Sequence, residues 1–134
     1  MMRPSKYRAI AAYRCETCGA DPSSPTKCIA CGSDCVIRFD SRAEARRWDL
    51  LRFSQNVGQI SELDRQVPFS ISVHRPDGQP VTISTWRADF VYLDETGNKV
   101  VEDVKSGPTK TATYRLKKKA VEAIYGIEIR EVTG

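Results

Sequence analysis

Trp86 to Lys105 reads WRADFVYLDETGNKVVEDVK. Two apolar-rich runs, Ala88–Leu93 and Lys99–Lys105, flank Glu95-Thr96-Gly97, and a glycine free to turn left-handed is what a three-residue hairpin loop requires. The stretch predicts a β-hairpin. Side chains alternate faces along a strand, so Asp89 shares a face with Val91 and Leu93, and Asp103 shares one with Val101 and Lys105. With a three-residue loop Asp94 pairs with Asn98, and counting back along both strands sets Asp89 opposite Asp103. A two-residue loop would shift the register by one and bring Glu102 onto that face instead.

Directly opposed like charges destabilise a sheet unless something positive lies between them. A hard divalent cation with oxygen ligands removes the repulsion, and Lys105 completes a cluster of metal and cation.

On the N-terminal side, Phe39-Asp40-Ser41 leads into a helix expected to run to about Asn56, with Gly58 as its stop signal. Ser41 and Glu44 fit a capping box. Glu44, Trp48 and Leu51 also fall at i, i+4 and i+7, which puts Glu44 at the head of the packed stripe, pointing towards the hairpin acids. Arg42 and Arg46 lie on the opposite face, open to solvent or to phosphate. Phe69–Val73 alternates as a strand, His74 to Gly78 is a turn with an exposed histidine, and Val81–Thr85 continues the sheet into the hairpin. Gln66 is a candidate to orient a group near the acids. Beyond the hairpin, Ala112–Tyr125 predicts a helix stopped by Gly126, with Leu116, Ala120 and Ile124 as its apolar stripe, and 127–132 alternates as a last strand. Lys110 to Lys119 holds five cations and no acid, and Lys110, Arg115, Lys117 and Lys118 are candidates for phosphate contact.

Cys15-Glu-Thr-Cys18 and Cys28-Ile-Ala-Cys31 are two CxxC pairs, each followed by glycine. Two such knuckles supply the tetrahedral thiolate set that Zn²⁺ prefers. The polar, proline-rich segment between them is too poor in apolar residues to hold a shape without that staple, so metal binding would be folding energy. Cys35 is the spare, either a substitute ligand for Cys31 or, in the favoured reading, a free buried thiol. A closed four-thiolate site leaves no position for water and is structural.

An Asp near the end of one strand followed by Asp-x-Lys on the next, here Asp89 and Asp103-Val104-Lys105, resembles the PD-(D/E)XK nuclease motif, with Ala88 where proline is usual. FDSRAEARRWDLL, RQVPF, ADFVY, VVEDVK and YRLKKK follow in the order seen in small phage and prophage PD-(D/E)XK proteins, long catalogued as a domain of unknown function and grouped with Holliday-junction resolvases. The resemblance covers residues 6–14 and 36–132 and leaves the cysteines as a zinc knuckle, residues 15–35, grown at the tip of a hairpin. It implies an α/β core, a mixed sheet flanked by two helices. It also implies Mg²⁺ or Mn²⁺ held by Asp89, Asp103, the Val104 carbonyl and Glu44, the acid matching the family's first helix. Lys105 would act on the attacking water, and the products would carry 5′-phosphate and 3′-hydroxyl ends.

The 134 residues make one domain, with 21 Lys and Arg against 17 Asp and Glu for a net charge of +4. An apolar run long enough for a membrane span and a hydrophobic leader are both missing, and an odd cysteine count fits a reducing compartment better than a disulfide framework. The basic start, with Arg3, Lys6 and Arg8, is either a solvated tail or a phosphate contact, and the run from Lys6 to Tyr13 predicts a first strand. The expectation is a cytoplasmic, phage-encoded endonuclease that acts as a homodimer on branched DNA. The alternatives are a flap or nicking nuclease, a zinc-containing DNA-binding module without catalysis, and a structural zinc protein for protein contacts.

Overall fold

The hairpin read from the sequence is the centre of the sheet in a computed structural model that describes residues 10–105 and 111–133. The order is β1 (Ala12–Cys15), β2 (Val36–Phe39), α1 (Arg42–Asn56), β3 (Ser61–His74), β4 (Pro80–Leu93), β5 (Lys99–Lys105), α2 (Ala112–Tyr125) and β6 (Ile129–Thr133). Strands β3, β4, β5 and β6 form one sheet in that order; β6 runs parallel to β5, which α2 makes possible by carrying the chain back. A separate antiparallel pair, β1 with β2, carries the cysteine segment at its tip. Among the described residues no helix is long and apolar enough to cross a membrane.

The Asp94 side chain closes the central turn by accepting from the Thr96 and Asn98 N–H groups at 2.9 Å each and from the Thr96 hydroxyl at 2.7 Å. These donors, the Thr96 hydroxyl foremost, hold the Asp94 carboxyl below its ordinary range. Gly97 takes φ +84, the left-handed value that the loop demands. The three-residue loop fixes Phe90 against Glu102 and Leu93 against Lys99, which is the register that faces Asp89 towards Asp103.

Alternation then divides the core. Phe90, Tyr92, Val100 and Val104 pack with Ile37, Phe39 and the Ala43, Ala45 and Leu51 face of α1. Val91 and Val101 pack on the other side with Phe69, Ile71, Trp86, Ile129 and Val121 of α2. Each helix thus covers one face. Ser41 caps α1 by accepting from the Glu44 N–H at 3.1 Å, and Thr111 caps α2 by accepting from the Tyr114 N–H at 3.1 Å.

Three expectations are corrected. The strand placed at Phe69–Val73 begins at Ser61, because β3 is an edge strand and tolerates Pro68, whose missing N–H an inner strand would need. On α2 the fully buried residue is Val121, whereas Leu116 is 70% and Ile124 48% exposed. The helix is rolled so that Tyr114 reaches Asp103 and Lys118 reaches Glu131, and this turns Leu116 and Ile124 outward. Cys35 is exposed rather than buried: it stands just before β2, where its carbonyl accepts the Glu16 N–H at 2.7 Å.

Glu102 lies on the α1 face and is completely buried. Arg47 of α1 grips it with two N–H···O bonds of 2.8 and 2.6 Å, and the Tyr92 hydroxyl donates to the same carboxylate. Burial, then this contact, pushes the Tyr92 phenol up to about 12. The ion pair ties α1 to β5. Glu102→Ala leaves a guanidinium facing a hydrophobic core without its anion, so the urea-unfolding midpoint should fall by the equivalent of about 3–5 kcal/mol. A loss below about 1 kcal/mol would mean that water replaces the carboxylate at no cost.

Candidate functional site

Past Phe90 the backbone ladder between β4 and β5 stops, and the Val104 N–H donates to Asp89 Oδ2 at 2.8 Å instead of to a carbonyl. The strands part there, and side chains occupy the gap. Asp89 Oδ1 accepts from the Gln66 amide at 3.3 Å, and Gln66 is held at φ +53, a left-handed backbone rare for residues with a Cβ. Asp103 Oδ2 accepts from the Tyr114 hydroxyl at 2.5 Å and from Lys105 Nζ at 3.1 Å. Lys105 Nζ also sits 3.7 Å from the centre of the Tyr114 ring, a cation–π contact that fixes its direction.

Charge brings the fourth residue in. Burial, followed by the neighbouring Asp40 and Asp103 charges, pushes Glu44 up to about 6, while Lys105 pulls it down. Burial likewise pushes Asp89 up to about 8, helped by a carboxyl–carboxyl contact with Asp103 and by the charge of Glu44, against the Val104 N–H. Glu44, Asp89, Asp103 and Lys105 therefore lie in one electrostatic unit with more acid than base.

These raised values fix a pH dependence. The unfolded chain releases the two protons near pH 4, whereas the folded chain keeps Glu44 protonated to about 6 and Asp89 to about 8. Between those limits these two groups bind more protons in the native than in the unfolded state, so their contribution to stability falls as pH rises from about 4 to 8. Urea midpoints of zinc-loaded protein freed of other divalent ions should drop from pH 5 to pH 8. Asp89→Asn should remove the part of the drop above pH 6. A flat profile in both proteins would contradict the shifts.

The cysteines form a second centre. The four sulfurs of Cys15, Cys18, Cys28 and Cys31 all lie within 4.8 Å of one another and form a group able to hold a metal such as zinc. Cys15 and Cys31 are 3.5 Å apart and Cys18 and Cys28 3.7 Å, near the roughly 3.8 Å edge of a tetrahedron with Zn–S arms of about 2.3 Å. Each knuckle closes in the same way, Gly19 and Gly32 donating to the Cys15 and Cys28 carbonyls at 2.8 Å. The Cys18 N–H, with help from Cys31, draws the Cys15 thiol down to about 6. Two arginines fasten this segment to α1. Arg14 forms a forked pair with Asp49 at 2.9–3.1 Å, and Arg52 donates to the Cys15 and Glu16 carbonyls at 3.3 and 2.5 Å.

Of the cations expected to meet phosphate, Arg115 is exposed, Lys117 is half-buried, and Lys118 is engaged with Glu131 at 2.9 Å. Lys110, Arg3, Lys6 and Arg8 lie outside the described residues. Tyr114 is the site residue that sequence reasoning missed, although it opens the Tyr-x-Leu-Lys stretch. Arg47 was missed as well, since helical spacing alone does not tell an arginine that pairs inward from one that is solvated.

Residues 33–132 match the model of a family described as a protein of unknown function, DUF1064. The chain belongs to the DUF1064 family. The matched span contains Glu44, Asp89, Asp103 and Lys105 and begins after Cys31, so the thiol group of this DUF1064 member lies outside it. No curated protein and no solved structure matches the chain.

Proposed function

We propose that this DUF1064 chain is a Mg²⁺- or Mn²⁺-dependent endodeoxyribonuclease on a PD-(D/E)XK-like core with a zinc-holding insert. The observation that supports the reading is the contact of Asp89 with Asp103 where β4 and β5 part, with Lys105 on Asp103 and the Glu44 charge felt by both acids; among the described residues the oxygens of the three acids do not gather as tightly as the four cysteine sulfurs do. Three carboxyls share one ammonium group in a half-buried place, where burial first and then the neighbouring acids push two of them towards protonation. Hard oxygen donors in surplus suit a small divalent cation. Asp89 and Asp103 with the Val104 carbonyl would hold it, and Glu44 would do so directly or through water.

Such an ion, when bound, stabilises charge on the phosphoryl oxygens and lowers the pKa of a water. Lys105 Nζ, held over the Tyr114 ring as an ammonium, offsets the phosphate charge and orients the attacking water. The Tyr114 hydroxyl keeps Asp103 turned towards the gap. Cleavage leaves 5′-phosphate and 3′-hydroxyl ends. Zn²⁺ in the closed thiol set has no position for water and serves the insert's structure. Lys110, Arg115, Lys117 and Lys118 supply salt-dependent phosphate affinity, with Lys118 reduced by its pairing to Glu131.

The proposed substrate is branched DNA, above all a four-way junction. Symmetric cuts there call for a two-fold homodimer. The proposed setting is the cytoplasm of a bacterial host, with the chain encoded by a phage or prophage. Labelled four-way junction, flap and linear duplex incubated with Mg²⁺, Mn²⁺ or EDTA test this reading. Metal-dependent symmetric cuts in the junction are expected. Cutting of flaps or nicking of duplex replaces the substrate and keeps the chemistry. Binding without cutting of any form makes the chain a zinc-containing DNA-binding module.

A further inference from the structure

The cysteine hairpin and the start of α1 line an open cleft of about 450 Å³ that shares no lining residue with the hairpin acids. Its walls are Ala11, Ala12, Tyr13 and Arg14 of the β1 region, Asp21 of the cysteine segment, and Arg42 and Arg46 of α1. Arg14 is committed to Asp49, and Asp21 accepts the Ser23 N–H at 3.0 Å. Arg42 and Arg46 are exposed and make no ion pair among the described residues.

Their placement works against the helix that carries them. Arg42 is the first residue of α1 and Arg46 lies one turn on, at the end where the helix dipole is positive. A cation in the first turn, as Arg42 is, is disfavoured there, and the like charge of Arg46 four residues on adds repulsion. Neither charge is neutralised by an ion pair among the described residues. An anion in the cleft gives a reason for both: it relieves their repulsion and meets the positive helix end, and two guanidinium forks are built to grip phosphate.

We infer that the Arg42–Arg46 cleft seats a backbone phosphate of the DNA substrate, a second anchor apart from the hydrolytic gap. The inference rests on the nuclease reading for the identity of the ligand. The cleft keeps its width because Arg14 and Arg52 lock the cysteine hairpin against α1, so the insert forms one wall of a DNA track as well as being a stapled loop.

Fluorescence anisotropy of a labelled duplex with the zinc-loaded protein, in Ca²⁺ to prevent cutting and across about 50–300 mM salt, tests it with Arg42→Ala/Arg46→Ala. Each phosphate contact contributes about 0.9 to the slope of log affinity against log salt. The double variant should lose about one unit of slope and bind about tenfold more weakly at low salt. Arg42→Lys/Arg46→Lys should keep the slope and lose part of the affinity, since a point charge replaces a fork. In cleavage assays the double alanine variant should raise KM and leave kcat unchanged. Both side chains are exposed, so folding is preserved, and far-UV circular dichroism checks it. If the wild type cuts DNA and the double variant keeps its slope and affinity, the cleft is overturned and the nuclease stands. If the wild type binds without cutting and the variant loses slope, the nuclease reading fails and the cleft stands. A wild type that neither binds nor cuts overturns both.

Discussion

Asp103→Asn is expected to lower the rate of DNA cleavage at saturating substrate by about 10³-fold while leaving DNA affinity equal or higher. The substitution keeps the shape of the side chain, and an amide oxygen still accepts the Tyr114 hydroxyl, so the roll of α2 is preserved. What is lost is the negative charge that joins Lys105 to the acid group and that a divalent ion requires. Removing that charge also removes repulsion towards phosphate, which is why binding should not weaken. Lys105→Met makes the complementary test, because its ammonium group touches both Asp103 and the Tyr114 ring. If Asp103→Asn cuts within tenfold of the wild-type rate, the gap between β4 and β5 is not where the phosphodiester is broken.

Cys28→Ser should release the insert's metal and unfold residues 16–34. Outside the thiols the segment has almost nothing to hold it: Pro22 is its other fully buried residue, and Ile29 is 75% exposed. Apparent zinc-binding energies of about 10–16 kcal/mol in small thiolate sites match or exceed the whole stability of an ordinary domain. The loss spreads, because Arg14 and Arg52 tie the insert to α1, while Ile37 and Phe39 of β2 sit in the core beneath that helix. The melting midpoint should fall by more than about 10 °C, with protease cutting confined at first to the insert. Zinc content by native mass spectrometry should drop from one ion to none. Cys35→Ser should change none of these, since its sulfur is not among the four gathered ones. Metal loss in Cys35→Ser and not in Cys28→Ser would mean that the ligand set is wrong.

The parts of the molecule that were legible in the sequence are those fixed by local chemistry. Gly97 and the Asp94 side chain set the loop length, and the loop length sets which acids face each other. Ser41 and Gly126 mark helix ends through caps that need only their own neighbours. The CxxC spacing gathers the sulfurs because each knuckle closes over a handful of residues. What the sequence did not disclose depends on partners far along the chain. Arg47 and Glu102 are 55 residues apart, and nothing near either one foretells the pair. The roll of α2 is decided by Tyr114 on Asp103 and Lys118 on Glu131, which turn Leu116 and Ile124 out of the expected stripe and leave Ala120 packed on the core. The early start of β3 depends on its being an edge strand, a fact of sheet order that Pro68 alone does not reveal.

The central claim is that Asp89, Asp103 and Glu44 form a divalent-cation site, and it can be tested without knowing the DNA substrate. Zinc-loaded protein, stripped of other ions, is titrated with Mn²⁺ by calorimetry in buffers of different ionisation enthalpy at pH 6.5 and 8.5. Saturable Mn²⁺ binding beyond the zinc is expected, displaced by Mg²⁺ and lost in both Asp89→Asn and Asp103→Asn. Because Asp89 and Glu44 are pushed up to about 8 and about 6, binding should release more protons at pH 6.5 than at 8.5. Wild-type protein that binds no Mn²⁺, or binds it equally well without either aspartate, would contradict the account.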